Sequence, residues 1–420
     1  MYLIKNIRLY TGEASYEHGA VLTDGDRIVF AGSEEDLPET STGDVTEIDG
    51  HGGICMPGLC NAHTHAPMVL LRGEGADLPL AEWLSCVMKL EDNFTPETIY
   101  TGTMLAIMEM LRGGVTSFAD MYFMCGDMIR AVLQSGIRAN ITRGSTSFEG
   151  VLSHKAWHDE YDGADGRLRV YTGLHAEYTS DESIARAAIE CAKELGVGIH
   201  VHLSESAPEV AGCIERHGVT PPEYFARLGL FDLPVIAAHC VHLTDSDIDI
   251  LSEHSVTAAH CPASNMYLAS GISPTAKLSR RGVPVAIGTD GAASNNTLDM
   301  FREMRLAALL AKVSTCAADA IPARDIITMA TVNRARAMGF SDVGVLAAGK
   351  AADLVILDGE ALHLNADDIA TAVVYSAVGA DVKLTMVGGR VLFRDGEFMT
   401  IDAERMIAEG KAAASFLRGK

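Results

Sequence analysis

The chain has 420 residues, of which 48% are hydrophobic and 21% charged, an ordinary globular composition with room for a large core and more than one domain. Its formal charge of −23 repels nucleic acid and anionic membranes, so neither is expected as a partner, while a small substrate met inside a local site remains open. Nine scattered cysteines without a C-x-x-C pair, no signal-peptide core after Met1 and no apolar run of about 18 residues predict a soluble cytoplasmic protein.

Taken in chain order, the first fifty residues predict short strands. Leu3 to Tyr10 and Ala20 to Ala31 are apolar, the second stretch turning at Asp24-Gly25. From there the rhythm changes. Apolar runs recur at about 54–60, 115–120, 137–143, 168–174, 198–203, 234–239, 255–260 and 283–288, and amphipathic stretches such as Glu97–Leu111, Ser183–Leu195 and Thr297–Lys312 lie between several of them. Strands alternating with helices imply a parallel sheet, and eight of them imply a closed (β/α)8 TIM-type barrel rather than an open sheet. After it, Asp353–Leu357 and Leu384–Phe393 predict strands, the second a hairpin through Gly388-Gly389, and residues 401–420 predict a helix. Neither chain end holds enough strands for a stable sheet alone. Both ends are therefore expected to build one small β-sandwich domain, with residues 1–56 and 345–420 flanking a barrel of 57–344.

The residues with chemistry fall where barrel strands end, the place where such barrels assemble active sites. His63-Thr-His65 follows the first run, and residues i and i+2 of an extended segment point the same way, so two imidazoles can meet one ion. The fifth run ends in His200-Val-His202-Leu-Ser-Glu205, the sixth in His239-Cys-Val-His242, the seventh in His260 and the eighth in Thr289-Asp290. One such residue alone reads as a hydrogen-bonded strand end. Together they read as a metal site, with His202, nearer its strand end, preferred to His200 as the ligand. Imidazoles with one carboxylate suit zinc, with iron or manganese as alternatives. Glu205 and Asp290 are the candidates to orient or deprotonate a water. The fourth run, Leu168 to His175, holds no lysine that could bridge two metals, so one ion per chain is expected.

Nearly the whole chain resembles the amidohydrolase superfamily. Met56-Pro-Gly-Leu-Cys-Asn-Ala-His-Thr-His65 is similar to the family's first-strand motif and Gly349-Lys-Ala-Ala-Asp-Leu-Val355 to its C-terminal β-domain motif. Within it, Trp83-Leu84, Thr142-Arg-Gly144, His175, His202-Leu-Ser-Glu205, Ala238 to Leu243, Pro262-Ala-Ser-Asn265 and Gly288 to Asn296 resemble the deaminases of S-adenosylhomocysteine, methylthioadenosine and 5′-deoxyadenosine. The resemblance implies one zinc on His63, His65, His202 and Asp290. It implies that His239 hydrogen-bonds the attacking water without ligating the metal. Glu205 would carry a proton from that water to a purine ring nitrogen, and Asp290 would pass the next one to departing ammonia. Glu91 and His175 would hold the ribose, with Glu205 and Asp290 also meeting the substrate, and Arg143 would face its tail. In three places the chain departs from the family pattern. The spacing from Trp83 is one residue short, which makes Asp92 an alternative to Glu91. Lys155, beside His154, stands at about the position of a second tail-binding arginine, and Cys261 replaces an asparagine. The expected partner is thus an adenosine-type nucleoside, and the protein a homo-oligomer. Guanine, cytosine, a pterin or a triazine is the alternative substrate within the fold, and a non-catalytic barrel scaffold the alternative of another class.

Overall fold

The computed structural model describes residues 1–39 and 45–419; Lys420, the end of the expected C-terminal helix, lies outside the described residues. Eight parallel strands form the centre: Leu59–Thr64, Val115–Tyr122, Arg138–Arg143, Leu168–Val170 continued by Thr172–Gly173, Ile199–Leu203, Val235–His239, Val256–His260 and Val285–Ile287. They pair in order as two hydrogen-bonded runs, the first through fourth and the fourth through eighth. The ring closes where the Asp290 N–H donates to the His63 carbonyl at 2.9 Å. This is the (β/α)8 barrel expected from the alternation of apolar runs and amphipathic stretches. Small residues from several strands (Cys60, Ala62, Ala119, Ala259, Ala286) share one buried cluster with Met338 and Phe340. The histidines gather where the strands end.

Both chain ends meet in one eight-stranded mixed sheet. Tyr2–Tyr10, Ser15–Asp24, Arg27–Ser33 and Thr46–Pro57 come from the N-terminus, and Leu354–Leu357, Val382–Val387, Arg390–Arg394 and Glu397–Phe398 from the C-terminus. Were it flat, the strands of Ile28 and Met386 would lie about 24 Å apart, five strand spacings. Instead both residues share one buried cluster with Ile4, Leu9 and Leu354, and Ala352 donates its N–H to Asp26. The sheet therefore curls back upon a core of its own, as a sandwich does.

The first barrel strand begins later than its apolar run predicts. Ile54 to Pro57 end a strand of the outer sheet, paired with Leu354–Ile356, and the barrel strand starts at Leu59. The chain crosses between the two sheets at Gly58, where a side chain is impossible because a Cβ would lie 2.2 Å from Thr116 Cγ2. The other expected elements form within a few residues of their predicted ends, including helices Pro96–Arg112, Glu182–Leu195, Met300–Thr315 and Ala403–Leu417. Each of these starts on a side-chain cap, Thr95, Asp181, Asp299 and Asp402 respectively.

The Gly349–Val355 segment joins the two bodies. Asp353, almost fully buried, receives Arg138 of the third barrel strand bidentately at 2.7 and 3.0 Å and also the Gly388 N–H at 2.7 Å. Removing one partner of a buried pair strands the other, so Arg138→Met is expected to destabilise the chain by about 3 kcal/mol. The double variant Arg138→Met/Asp353→Leu should recover part of that loss. Urea unfolding midpoints measure both; a single variant as stable as the parent would show that the pair contributes nothing.

Candidate active site

The strand ends deliver four imidazoles and two carboxylates to one place. His63 closes on His65, His202 and His239 with ring centroids 4.7, 4.8 and 5.4 Å away. Asp290 Oδ1 stands 3.5 Å from His63 Nε2 and 3.3 Å from His65 Nε2. Ligand atoms of His63, His65 and His202, and those of His63, His239 and Asp290, lie within 4.8 Å of one another.

Each ring is held by its Nδ1. His63 is bonded there to His200 Nε2 at 3.0 Å, His65 to the Met121 carbonyl, His202 to the His175 carbonyl at 2.8 Å and His239 to Asn265 Oδ1 at 2.9 Å. A ring fixed at Nδ1 presents Nε2, the arrangement that orients metal-binding histidines. His63 Nε2 is buried and has no hydrogen-bond partner. A buried polar atom without a partner costs free energy unless something else meets it. Burial drives the His63 imidazole down to about 3 and His202 well below its usual value. Burial works against the charge of Asp290, yet the neighbouring His63, His65 and His239 rings hold it well below the carboxylate range. Neutral imidazoles beside an ionised carboxylate are the states in which these groups donate to a metal. The residues fit a divalent ion of the zinc type.

Two loops build the walls. In the first, Ser204 takes a left-handed backbone with φ of 50°, an uncommon one for a residue with a side chain. It is secured by the buried Glu209 carboxylate, which accepts the N–H groups of Ser204, Glu205 and Ser206. Glu205 is thereby turned to the centre, with Oε1 accepting from Ser270 at 3.2 Å and Oε2 at 3.8 Å from His239 Nε2. Burial lowers the affinity of His239 for a proton, but the carboxylates of Glu205 and Asp290 outweigh it and raise the ring above its ordinary value. In the second loop, Asp290 (φ 60°) accepts the hydroxyls of Ser264 and Ser294 on Oδ2 at 2.6 and 2.8 Å.

Above these groups opens a cavity of about 260 Å³ that is lined by His65, His202, Glu205, His239 and Asp290 on the floor, and by His175, Glu91 and Trp83 higher up. Glu91, not Asp92, reaches it, and accepts the Tyr122 hydroxyl at 2.6 Å. Burial pushes the Glu91 carboxyl up to about 7. Trp83 packs at the edge, over Gly75.

Two residues expected at the substrate tail are elsewhere. Arg143 is absent from the lining and sets Nη1 3.4 Å from Ser153 Oγ, and Lys155 pairs with Glu194 on the exposed helical layer. Neither residue lines the cavity in this structure, and for Arg143 the reason is strand parity. Its strand alternates, and position 143 faces the helices. Reading the sequence did not find the roles of Ser264, Ser294, Asn265 and Glu209. The first three lie in motifs it had singled out, so the signal was at hand, although nothing in a motif tells which polar side chain turns inward.

The amidohydrolase family model matches residues 54–392. The chain is 43% identical over 403 residues to a 5-methylthioadenosine/S-adenosylhomocysteine deaminase of Moorella thermoacetica, covering 93% of each. It is 44% identical over 386 residues to a 5′-deoxyadenosine deaminase of Methanosarcina mazei, covering 89% of this chain and 88% of that one. Among solved structures, a zinc-bound adenosine deaminase of Xanthomonas campestris superposes with a TM-score of 0.95 at 34% identity, over 100% of this chain and 99% of that one. With its barrel, its strand-end histidines and a match spanning most of its length, this chain belongs to the amidohydrolase family.

Proposed function

We propose that the protein is a zinc-dependent aminohydrolase that converts an adenosine-type nucleoside to the inosine-type product and ammonia. The observation that carries the reading is a buried His63 Nε2 without a hydrogen-bond partner, grouped with His65, His202 and Asp290, beneath a cavity into which the Glu205 carboxylate is turned beside His239. The names of the relatives support the substrate class, which comprises methylthioadenosine, S-adenosylhomocysteine, 5′-deoxyadenosine and adenosine.

In this reading His63, His65, His202 and Asp290 hold one zinc, and no lysine on the fourth strand provides for a second. The ion when bound supplies Lewis acidity that brings the pKa of a water toward neutrality. His239, fixed at Nδ1 by Asn265 and favoured in its charged form by the Glu205 and Asp290 carboxylates, donates a hydrogen bond from Nε2 to the attacking oxygen. Glu205 takes a proton from the water on its carboxylate and delivers it to a ring nitrogen of the purine, which makes C6 electrophilic. A C6–O bond forms, Asp290 takes the remaining proton of that oxygen and passes it to the amino group, and the C6–N bond breaks to release ammonia and leave a C6 carbonyl. Glu91 and His175 hold the ribose. His175 is driven down to about 4 by burial, so it meets the sugar as a neutral ring. The same proposal divides the chain into a barrel of 57–344 and a β-sandwich of 1–56 with 345–420. It also places the protein in the cytoplasm as a homo-oligomer. Nine free cysteines support a reducing compartment, and among the described residues no helix is long and apolar enough to cross a membrane.

Ammonia release from a panel of adenosine derivatives, guanine, cytosine, a pterin and a triazine tests the substrate class; activity confined to the last four would replace it. Protein purified without chelator is expected to carry one metal ion per chain by elemental analysis, and a ratio near two would refute the mononuclear site.

Glu205→Gln should retain that ion and lose roughly 10²–10⁴-fold in turnover, the usual contribution of a general acid–base group. Loss of the ion in this variant would make Glu205 a support for the metal instead.

A further inference from the structure

The walls of the cavity bear on what the nucleoside carries at its 5′ end. Helix Leu80–Glu91 runs along one side and ends at Glu91, the proposed ribose contact. One turn earlier the same face shows Met88, and two turns earlier Leu84, both lining the cavity. Phe123 completes this side, next in sequence to Tyr122, whose hydroxyl bonds Glu91. A group leaving the ribose past Glu91 therefore meets a thioether, a leucine and a phenyl ring. Met88 and Phe123 are 59% and 40% exposed, so this wall reaches the mouth.

The cations that could receive a charged tail are turned away from it. Just past the end of the third barrel strand, a Cβ at Gly144 would stand 3.2 Å from Met121 and 3.5 Å from His175, both cavity residues. Position 144 thus faces inward, and Arg143, its neighbour in an extended segment, leaves from the opposite face. Its Nε passes 3.4 Å from where a Cβ of Gly150 would be, under helix Phe148–Tyr161. No rotamer reverses the face of a strand. Lys155, on that helix, is paired with Glu194. Among the described lining residues there is no arginine or lysine, whereas Glu91, Glu205 and Asp290 are acidic.

We infer that Leu84, Met88 and Phe123 form an apolar subsite for the 5′ substituent, which selects adenosines with a short, neutral, apolar tail over one that ends in a carboxylate and an ammonium group. The inference rests on the nucleoside reading above. A carboxylate on this wall loses water and gains no charged donor, whereas a methyl or methylthio group gains burial.

The test compares kcat/KM for 5′-methylthioadenosine and S-adenosylhomocysteine with the metal-loaded enzyme. A preference of roughly 10–100-fold for the first is expected, the worth of one charge-assisted hydrogen bond forgone. Arg143→Met should leave the ratio unchanged, and Met88→Arg, which sets a guanidinium on the wall, should narrow it by roughly 10-fold. Equal kcat/KM for the two substrates overturns the inference while leaving the deaminase reading intact. So does a selective loss of the carboxylate-tailed substrate in Arg143→Met. Ammonia from neither substrate, nor from adenosine, overturns both.

Discussion

The site depends on how the barrel closes. The eighth strand returns to the first through four hydrogen bonds: the Asp290 N–H to the His63 carbonyl, the Thr289 N–H to Asn61 Oδ1 at 3.0 Å, Asn61 Nδ2 to Thr289 Oγ1 at 2.7 Å, and Thr64 Oγ1 to the Asp290 carbonyl at 2.9 Å. His63 and Asp290 are separated by most of the barrel in sequence, yet these bonds fix them side by side. Gly288 allows the approach, since a Cβ there would lie 2.7 Å from the His63 nitrogen. The contact that completes the fold is thus the one that brings the aspartate to the imidazoles, and a barrel closed one register away would separate them.

Closure places the backbone, but the side chains need further restraint, and the chain supplies it at some cost. Ser204, His239, Cys240 and Asp290 all have positive φ where their strands end. Such conformations cost about 1 kcal/mol or more each for residues with a Cβ. They turn consecutive side chains out of strand alternation, so that Glu205 and His239 can face one another. Hydrogen bonds to buried partners offset the cost: Glu209 gathers three N–H groups beneath Glu205, and Ser264 and Ser294 hold the far oxygen of Asp290. Glu303 ties the two serine-bearing loops together, accepting the Ala263 N–H and the Asn295 amide from a fully buried position.

These two layers explain what could be read from the residues. The imidazoles and Asp290 were legible because strand ends in a parallel barrel all converge, so a periodic pattern alone places them together. The crossing at Pro57-Gly58 was not, because both halves of the 54–60 run are buried and apolar and hydropathy does not register a change of sheet. The placement of Arg143 was not legible for a related reason. Resemblance to a motif assigns a residue a neighbourhood, whereas strand parity decides its face, and one residue of phase separates the substrate from the helical layer. The bracing carboxylates were hidden as well, since a glutamate at 209 or 303 in a helical pattern reads as a solvated charge until the loops above it are placed.

The charge of the molecule enters last and acts less than its size suggests. A net −23 spread over the surface is screened within about 8 Å at physiological ionic strength. A purine nucleoside is neutral and is not steered by that field in either direction. Discrimination among 5′ tails has therefore to arise within the cavity, from groups a few ångströms from the substituent, and there the apolar face of Leu84, Met88 and Phe123 stands beside a carboxylate with no guanidinium to balance it. The same field does act on cations, raising their local concentration near the surface. It cannot choose among them, because a diffuse field has no ligand geometry, whereas the floor combines imidazoles held at Nδ1 with an aspartate. Selection of both the ion and the substrate thus falls to the short range, where the barrel's closure has fixed the geometry.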